Sequence, residues 1–285
     1  MFLASWLKSD GNARANDQRA WQRDFIFPPS ISYQSPKNPP HFTNFHRTEK
    51  SEMEPSIITT PPSITIVDHE LPYDSHNTYD VIFFGKSVFT TVTSDPTIAS
   101  QWISEIDRSG SHLTVGLDVE WRPSYNRHVA HPAATLQLCV GLRCLIFQLI
   151  HSPSVPPPLI DFLANPNHTF VGIGIEADLE KLEEDYEFGF SANAVDLRGL
   201  AAERYGRRDL KNAGVKSLAA LVLGKDVDKP KNVTMSRWDN QWLTPVQVRY
   251  ACVDAFVCFE IGRVLNAASP AAAAPPSVSA SVLEF

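Results

Sequence analysis

The sequence predicts an α/β fold in which a mixed β-sheet is flanked by helices. Apolar segments of strand length come first, and strands then alternate with helices from about residue 95 onward, an order typical of a mixed sheet covered by helices. The pattern ends in a long segment whose apolar residues recur at helical spacing. With 285 residues, 43% of them hydrophobic, the chain can bury one substantial core.

The predicted elements begin at about residue 63. We expect strands at about 63–68 and 79–86, followed by a helix at about 95–108. A buried strand at 113–121 precedes a hairpin that turns near Gly141 and Leu142, and a short helix ends at about Ala164. A strand at 169–175 then leads into helices that continue to about residue 265.

Composition divides the chain into three parts. Residues 1–60 are rich in Pro, Ser, Asn and charged residues and lack a sustained apolar period, so we expect a disordered extension. Residues 61–266 contain every predicted strand and helix and form the predicted domain. Residues 267–285 are rich in Ala, Pro and Ser, and we expect a disordered low-complexity tail there.

The helix predicted at 244–265 carries a carboxylate on its apolar side. Val246, Tyr250 and Val253 recur at helical spacing, and Asp254 lies beside this stripe, one turn after Tyr250. A buried carboxylate without a partner is strongly unfavourable. We therefore expect a positive group opposite Asp254, either a buried Arg or Lys or a metal ion.

The strand predicted at 113–121 carries two more acids. Asp118 and Glu120 share one face because side chains alternate along a strand. Two like charges about 4 Å apart repel by roughly 4 kcal/mol at an effective dielectric of 20, which a strand without a use for the pair would rarely keep. By itself the pair is weak evidence for a site, because a polar strand end that reaches solvent is the more common explanation of two acids in this spacing.

A third acidic position, Asp178, lies in the first turn of the helix that follows the strand at 169–175. An acid in this position interacts favourably with the helix dipole, by roughly 0.3–1 kcal/mol, and that ordinary role is the alternative to a place in a site. For Asp196 we expect only a helix cap.

The chain order of these side chains resembles that of the DEDDy 3'→5' exonucleases, in the ribonuclease H-like superfamily, and in particular the Werner-syndrome-type exonuclease domain in its plant stand-alone form. The acids and the tyrosine that carry the resemblance are Asp118, Glu120, Asp178, Tyr250 and Asp254. Five segments extend it: 116–127, 134–149, 171–182, 215–225 and 236–256. The resemblance implies a ribonuclease H-like (DnaQ-like exonuclease) sheet and makes residues 61–266 a 3'→5' exonuclease domain.

By this resemblance the chain hydrolyses phosphodiester bonds from the 3' end of nucleic acid and releases nucleoside 5'-monophosphates. Its implied cofactors are two divalent cations, Mg²⁺ or Mn²⁺, which prefer carboxylate oxygen and suit an in-line displacement. Asp118, Glu120 and Asp254 would hold the ion that generates the attacking hydroxide. Asp118 would also bridge to the second ion, Asp178 would support that ion, and the hydroxyl of Tyr250 would orient the water.

Trp121 and Arg127, which follow the acidic pair in the chain, are predicted substrate contacts. Trp121 is expected either to stack on the terminal base or to belong to the core, and Arg127 lies in a loop expected to contact the strand. Residues 198–237 contain ten Lys and Arg against four Asp and Glu, a net charge of +6, which leaves −13 for the rest of the chain. This basic region either follows the phosphates or is a solvated surface.

The predicted partner is nucleic acid with a free 3' end, with DNA favoured over RNA. One alternative is an exoribonuclease of the ribonuclease D type, in which a helical domain is expected after the nuclease domain, where this sequence has the low-complexity tail. A second alternative is a non-catalytic nucleic-acid-binding module, which the presence of all four acids disfavours. Any helicase partner would be a separate protein.

The remaining expectations concern location. No run of about 18 apolar residues occurs, so we expect no membrane association. The N-terminus lacks a continuous apolar signal segment, and we expect no secretion. The four cysteines have neither CxxC spacing nor a disulfide-rich pattern, which fits a reducing compartment, the nucleus or the cytoplasm.

Overall fold

The computed structural model describes residues 64–268 of the chain, apart from residues 73, 109, 125 and 127. The predictions for the extension 1–60 and for the tail beyond residue 268 therefore lie outside the described residues. The described strands are β1 Ile64–Asp68, β2 His76–Phe83, β3 Lys86–Thr93, β4 Thr114–Trp121, β5 Ala133–Val140, β6 Arg143–Phe147, β7 Thr169–Gly172 and β8 Ala194–Asp196.

The helices follow the same chain order. They are α1 Pro96–Ile106, α2 Pro157–Ala164, α3 Ile175–Tyr186, α4 Leu197–Tyr205, α5 Val215–Leu218, α6 Lys231–Thr234 and α7 Pro245–Val264. Short 3₁₀ helices lie at Leu149–His151 and Arg208–Asn212, and a π-helical turn covers Ala219–Leu223. Among the described residues, no helix is long and apolar enough to cross a bilayer, and this includes the 20-residue α7.

The eight strands form one mixed sheet in the order β1-β2-β3-β6-β5-β4-β7-β8. Antiparallel pairing joins β1 to β2 to β3 and also joins β6 to β5 to β4. Parallel pairing joins β3 to β6, and β4 to β7 to β8. The mixed sheet predicted from the order of the elements is confirmed, and β4, which carries two of the predicted acids, lies inside it.

Helices cover both faces of this sheet. One buried cluster packs α1, α2 and α3 on the face that receives Leu117 and Val119 of β4. The other cluster packs α4 and α7 on the opposite face and includes side chains of β2 and β3. Because side chains alternate along β4, Gly116, Asp118 and Glu120 point to the α7 side.

Helix α7 begins and ends close to its predicted bounds. Thr244 and Gln247 form a capping box, with Pro245 in the first turn, an arrangement that satisfies free backbone N–H groups at a helix start. The predicted apolar stripe is wrong as a single face, because α7 is buried on most sides and Val246 of that stripe is 44% exposed. Asp254 is nevertheless buried, as predicted, with 3% exposure.

Two strand bounds differ from the prediction. The segment 79–86 is the end of β2 followed by a tight turn, because Phe84 and Gly85 both adopt positive φ, 46° and 85°, and return the chain into β3. The strand predicted at 169–175 stops at Gly172, since Gly174 is left-handed with φ 80° and starts α3. The hairpin of β5 and β6 turns at Gly141 and Leu142, as predicted.

Candidate active site

Three of the predicted acids meet on the α7 side of the sheet. Asp118 and Glu120 come from β4 and Asp254 from α7, and one carboxylate oxygen of each lies within 4.8 Å of the others. The first two are half-buried and the third is buried. The structure therefore brings Asp254 to a pair of acids that lie 134 and 136 residues before it in the chain.

The close approach of α7 to β4 depends on glycine. A Cβ atom added at Gly116 would lie 2.0 Å from the backbone oxygen of Ala255 and 2.8 Å from the backbone nitrogen of Phe259. Gly262 makes a similar contact farther along α7, where an added Cβ would meet a methyl group of Val171 at 2.9 Å. Backbone-to-backbone packing at Gly116 thus sets the depth of Asp254, the residue before Ala255.

Asp178 approaches the three acids from the first turn of α3. It is not among the three carboxylates that lie within 4.8 Å of one another, but its charge acts on Asp118 and Glu120. The turn into α3 is held by Asp196, whose Oδ2 accepts the N–H of Gly174 at 3.1 Å. Asp196 also caps α4 by accepting the N–H of Arg198 at 2.8 Å, so the predicted cap is confirmed and the residue positions the Asp178 turn as well.

Burial and mutual repulsion disfavour full ionisation of these carboxyl groups. Burial, followed by the charges of Asp254, Glu120 and Asp178, raises the pKa of Asp118 well above its usual range. Burial and the charges of Asp254 and Asp178 raise the pKa of Glu120 to about 8. Burial and the charges of Asp196 and Glu176 raise the pKa of Asp178 to about 7. A cation placed among these groups would remove the cause of the repulsion.

The donor set fits a hard divalent cation. Every candidate ligand is a carboxylate oxygen, which Mg²⁺ and Mn²⁺ prefer over the nitrogen and sulfur ligands favoured by zinc. The Oδ2 atom of Asp118 is buried and has no hydrogen-bond partner among the described residues. Buried polar atoms are ordinarily satisfied, so this oxygen is available to a metal ion.

Tyr250 lies one helical turn before Asp254 and is 7% exposed. Its hydroxyl is 3.0 Å from Oγ1 of Thr234, and its ring packs against Trp238 with 5.8 Å between the ring centroids. Burial and the charge of Asp254 raise the pKa of Tyr250 to about 12. At neutral pH the side chain is therefore a fixed, uncharged hydroxyl, suited to orienting water and not to removing a proton.

Lys229 belongs to the site but was not predicted from the sequence. Its Nζ atom lies 2.6 Å from Oδ2 of Asp254 and 4.9 Å from the centre of the Tyr250 ring. Both partners considered for Asp254, a basic side chain and a metal ion, thus have a basis in the structure. The sequence predicted a positive group opposite Asp254, but not that Lys229, in the loop 225–231, would supply it.

The two predicted substrate contacts have different outcomes. Trp121 is half-buried and packs against the cluster on the α1 side of the sheet, directly after an irregularity in the pairing of β4 with β5. Its stacking on a base remains a prediction. Arg127 lies outside the described residues, so its contact with the nucleic-acid strand also remains a prediction.

Two other arginines line a groove next to the end of β4. Arg122 and Arg237 both pair with Asp239, at 3.2 Å and 3.1 Å. They line a groove of about 380 Å³, together with Ser124, Asn126, Val129, His131 and Met235. Its lining includes Arg122, the residue after Trp121, and Ser236, two residues after Thr234, which contacts the Tyr250 hydroxyl. A fixed pair of guanidinium groups is suited to binding phosphate.

Comparison with known proteins agrees with this arrangement. A family model described as 3'-5' exonuclease matches residues 90–267. A 3'-5' exonuclease of Arabidopsis thaliana is 34% identical over 191 residues, which are 65% of this chain and 65% of that protein. The bifunctional 3'-5' exonuclease/ATP-dependent helicase WRN of Mus musculus is 34% identical over 178 residues, 61% of this chain and 12% of that protein.

Two solved structures share the fold. The Nibbler EXO domain of Aedes aegypti gives a TM-score of 0.53 at 19% identity and covers 61% of this chain and 86% of that domain. RNase D of Escherichia coli, an exoribonuclease involved in structured RNA processing, gives a TM-score of 0.52 at 19% identity and covers 61% of this chain and 44% of that one. The fold and family inferred from the sequence are both confirmed: the chain belongs to the 3'-5' exonuclease family, with a ribonuclease H-like fold.

Proposed function

We propose that this chain is a metal-dependent 3'→5' exonuclease that hydrolyses the terminal phosphodiester bond of nucleic acid and releases nucleoside 5'-monophosphates. The observation that carries the proposal is the meeting of Asp118, Glu120 and Asp254 in a chain of the 3'-5' exonuclease family. The unpartnered Oδ2 of Asp118 supports a cation at this point.

The carboxylates would hold the cations in the roles given by the family resemblance. Asp118, Glu120 and Asp254 would hold one ion, and Asp118 and Asp178 would support a second. Two such ions, when bound, activate water and stabilise the leaving 3'-oxygen. Attack of the water on phosphorus breaks the bond to the 3'-oxygen, which takes up a proton, and the phosphate stays on the 5' side of the released nucleotide.

Tyr250 positions the water in this proposal. Its hydroxyl is held by Thr234 at 3.0 Å and is uncharged at neutral pH, since its pKa is raised to about 12. It can therefore donate a hydrogen bond to a water or phosphate oxygen while it accepts one from the Thr234 hydroxyl. The arginine pair at Arg122 and Arg237 is proposed to bind the phosphates behind the terminal nucleotide.

DNA is proposed as the preferred polymer and RNA as the alternative. DNA is favoured by the resemblance to the Werner-syndrome-type exonuclease domain, and the mouse exonuclease/helicase WRN is 34% identical over 178 residues. A carboxylate centre acts on phosphates, whereas RNA is distinguished from DNA through the 2'-hydroxyl. The helicase activity in the name of the mouse relative supports a separate helicase as a partner. The four buried free cysteines support a reducing compartment, nuclear or cytoplasmic.

The proposal is tested with a 5'-labelled strand recessed at its 3' end, made once as DNA and once as RNA, in Mg²⁺, in Mn²⁺ and in EDTA. We expect a ladder that shortens from the 3' end only with metal, faster on DNA, and abolished in Asp118→Ala. Folded protein that leaves both polymers intact with either metal would support the non-catalytic binding module instead.

A further inference from the structure

Lys229 reaches from the surface into the carboxylate cluster. Its side chain is 32% exposed, whereas that of its partner Asp254 is 4% exposed. The ammonium lies 2.6 Å from Oδ2 of Asp254 and near the face of Tyr250. It therefore stands beside the two α7 residues to which the metal-dependent function assigns a metal ligand and the water-orienting group.

The ammonium and a divalent cation are alternatives at this position. The Oδ2 atom of Asp254 forms a close ion pair with the Lys229 ammonium, at 2.6 Å, and Mg²⁺ requires its oxygen ligands at about 2.0–2.1 Å in well-directed positions. Two cations at one buried carboxylate also repel each other strongly, because the interior screens charge poorly. Charge balance agrees, since three neighbouring carboxylates without metal need a positive group.

A cavity beside the site can accept the Lys229 ammonium when it leaves Asp254. A cavity of about 270 Å³ adjoins the site, and its wall includes Tyr250, Asp254, Asp226 and Asp228. Asp228 is the residue before Lys229 and is exposed. A flexible lysine side chain can leave Asp254 for solvent or for these carboxylates while its backbone stays in place.

We propose that Lys229 is an internal counter-ion that occupies part of the metal site in the metal-free protein and leaves Asp254 when the divalent cation binds. This inference rests on the proposed metal-dependent function. Its consequence is regulatory: Lys229 keeps the cluster folded at low metal concentration, and it raises the metal concentration needed to fill the site.

The test is Mn²⁺ binding to the full chain without nucleic acid, measured by the loss of the free-Mn²⁺ electron paramagnetic resonance signal. Lys229→Met removes the ammonium and keeps an unbranched side chain. Lys231→Met is the control, because it removes the same charge two residues away from an exposed position. We expect Lys229→Met to bind Mn²⁺ at least tenfold more tightly than the wild type, and the control to stay within about threefold.

Melting temperatures give a second readout. Lys229→Met should lower the melting temperature of the metal-free protein and leave that of the Mn²⁺-saturated protein near the wild-type value, so the rise caused by metal becomes larger. Lys229→Gln keeps an N–H donor for Asp254 and serves if the methionine variant does not fold; the same direction of change is expected.

The outcomes separate the two proposals. Equal or weaker Mn²⁺ binding in Lys229→Met or Lys229→Gln, compared with Lys231→Met, would overturn the counter-ion proposal and leave the exonuclease proposal standing. Absence of Mn²⁺ binding in every variant, including the wild type, would overturn the metal site itself and with it both proposals.

Discussion

Gly116→Ala tests how the fold sets the geometry of the site. The added Cβ would lie 2.0 Å from the backbone oxygen of Ala255, whereas a comfortable carbon–oxygen contact is about 3.3 Å. Helix α7 would therefore have to move about 1.3 Å away from β4 at this point. Because the obstacle is backbone and not the end of a flexible side chain, neither element can yield by a change of rotamer.

This movement should affect activity more than stability. Overpacking of this kind costs about 1–3 kcal/mol of the free energy of unfolding. Asp254 precedes Ala255, so it would move away from Asp118 by a similar distance, and a misplacement of about 1 Å can cost about 100-fold in rate. We expect kcat/KM to fall at least about 100-fold in a variant that is still folded at the assay temperature.

The assay combines the 3'-end degradation rate with thermal unfolding. Gly199→Ala is a matched control, because Gly199 lies exposed in α4 and an added Cβ would meet nothing within 4 Å. It should keep full activity and gain up to about 1 kcal/mol, as expected for alanine in place of glycine in a helix. Wild-type activity in Gly116→Ala would show that backbone contact at this glycine does not place Asp254.

Three further predictions concern the site. Tyr250→Phe should lower kcat roughly 100-fold with little change in the melting temperature, because Thr234 loses only one partner; unchanged single-turnover rates would contradict the water-orienting role. Without metal, the folded protein retains protons on carboxyls such as Glu120, whose pKa is raised from 4.5 to about 8. The free energy of unfolding, measured by urea unfolding, should therefore fall as pH rises from about 5 to 8, by up to ~1.4 kcal/mol per pH unit for each retained proton. Saturating Mg²⁺ should make this dependence on pH weaker. Arg237→Ala should raise the KM for nucleic acid severalfold and lower the slope of log affinity against log salt concentration by about one unit. Arg207→Ala is the control, because Arg207 pairs with Asp209 two residues later but lies outside the groove, and it should change neither value.

Much of the fold is visible in the sequence because local signals agree with tertiary packing. The strand bearing Asp118 and Glu120 is predicted because buried inner strands are continuously apolar, and α7 because it is long and properly capped. The hairpin of β2 and β3 was missed because its turn contains Phe84 at positive φ, a conformation that aromatic residues rarely adopt. Strand β8 has three residues, too few for any periodicity to appear.

The site shows the same division between local and long-range information. The acids could be proposed from residue types and their order, because a buried carboxylate requires a partner wherever it lies. Lys229 could not be placed, since its contact with Asp254 depends on how the irregular loop before α6 folds over α7. The contact at Gly116 is likewise a distance between two backbones, and nothing in the local pattern around that glycine specifies it.

Anomalous diffraction from crystals of the protein soaked in Mn²⁺ tests the metal site directly. We expect a manganese peak at bonding distance from carboxylate oxygens of Asp118, Glu120 and Asp254, with the Lys229 ammonium moved away from Asp254. A well-ordered site without manganese, at Mn²⁺ concentrations that support activity, would contradict the claim that these carboxylates form the metal centre of the exonuclease.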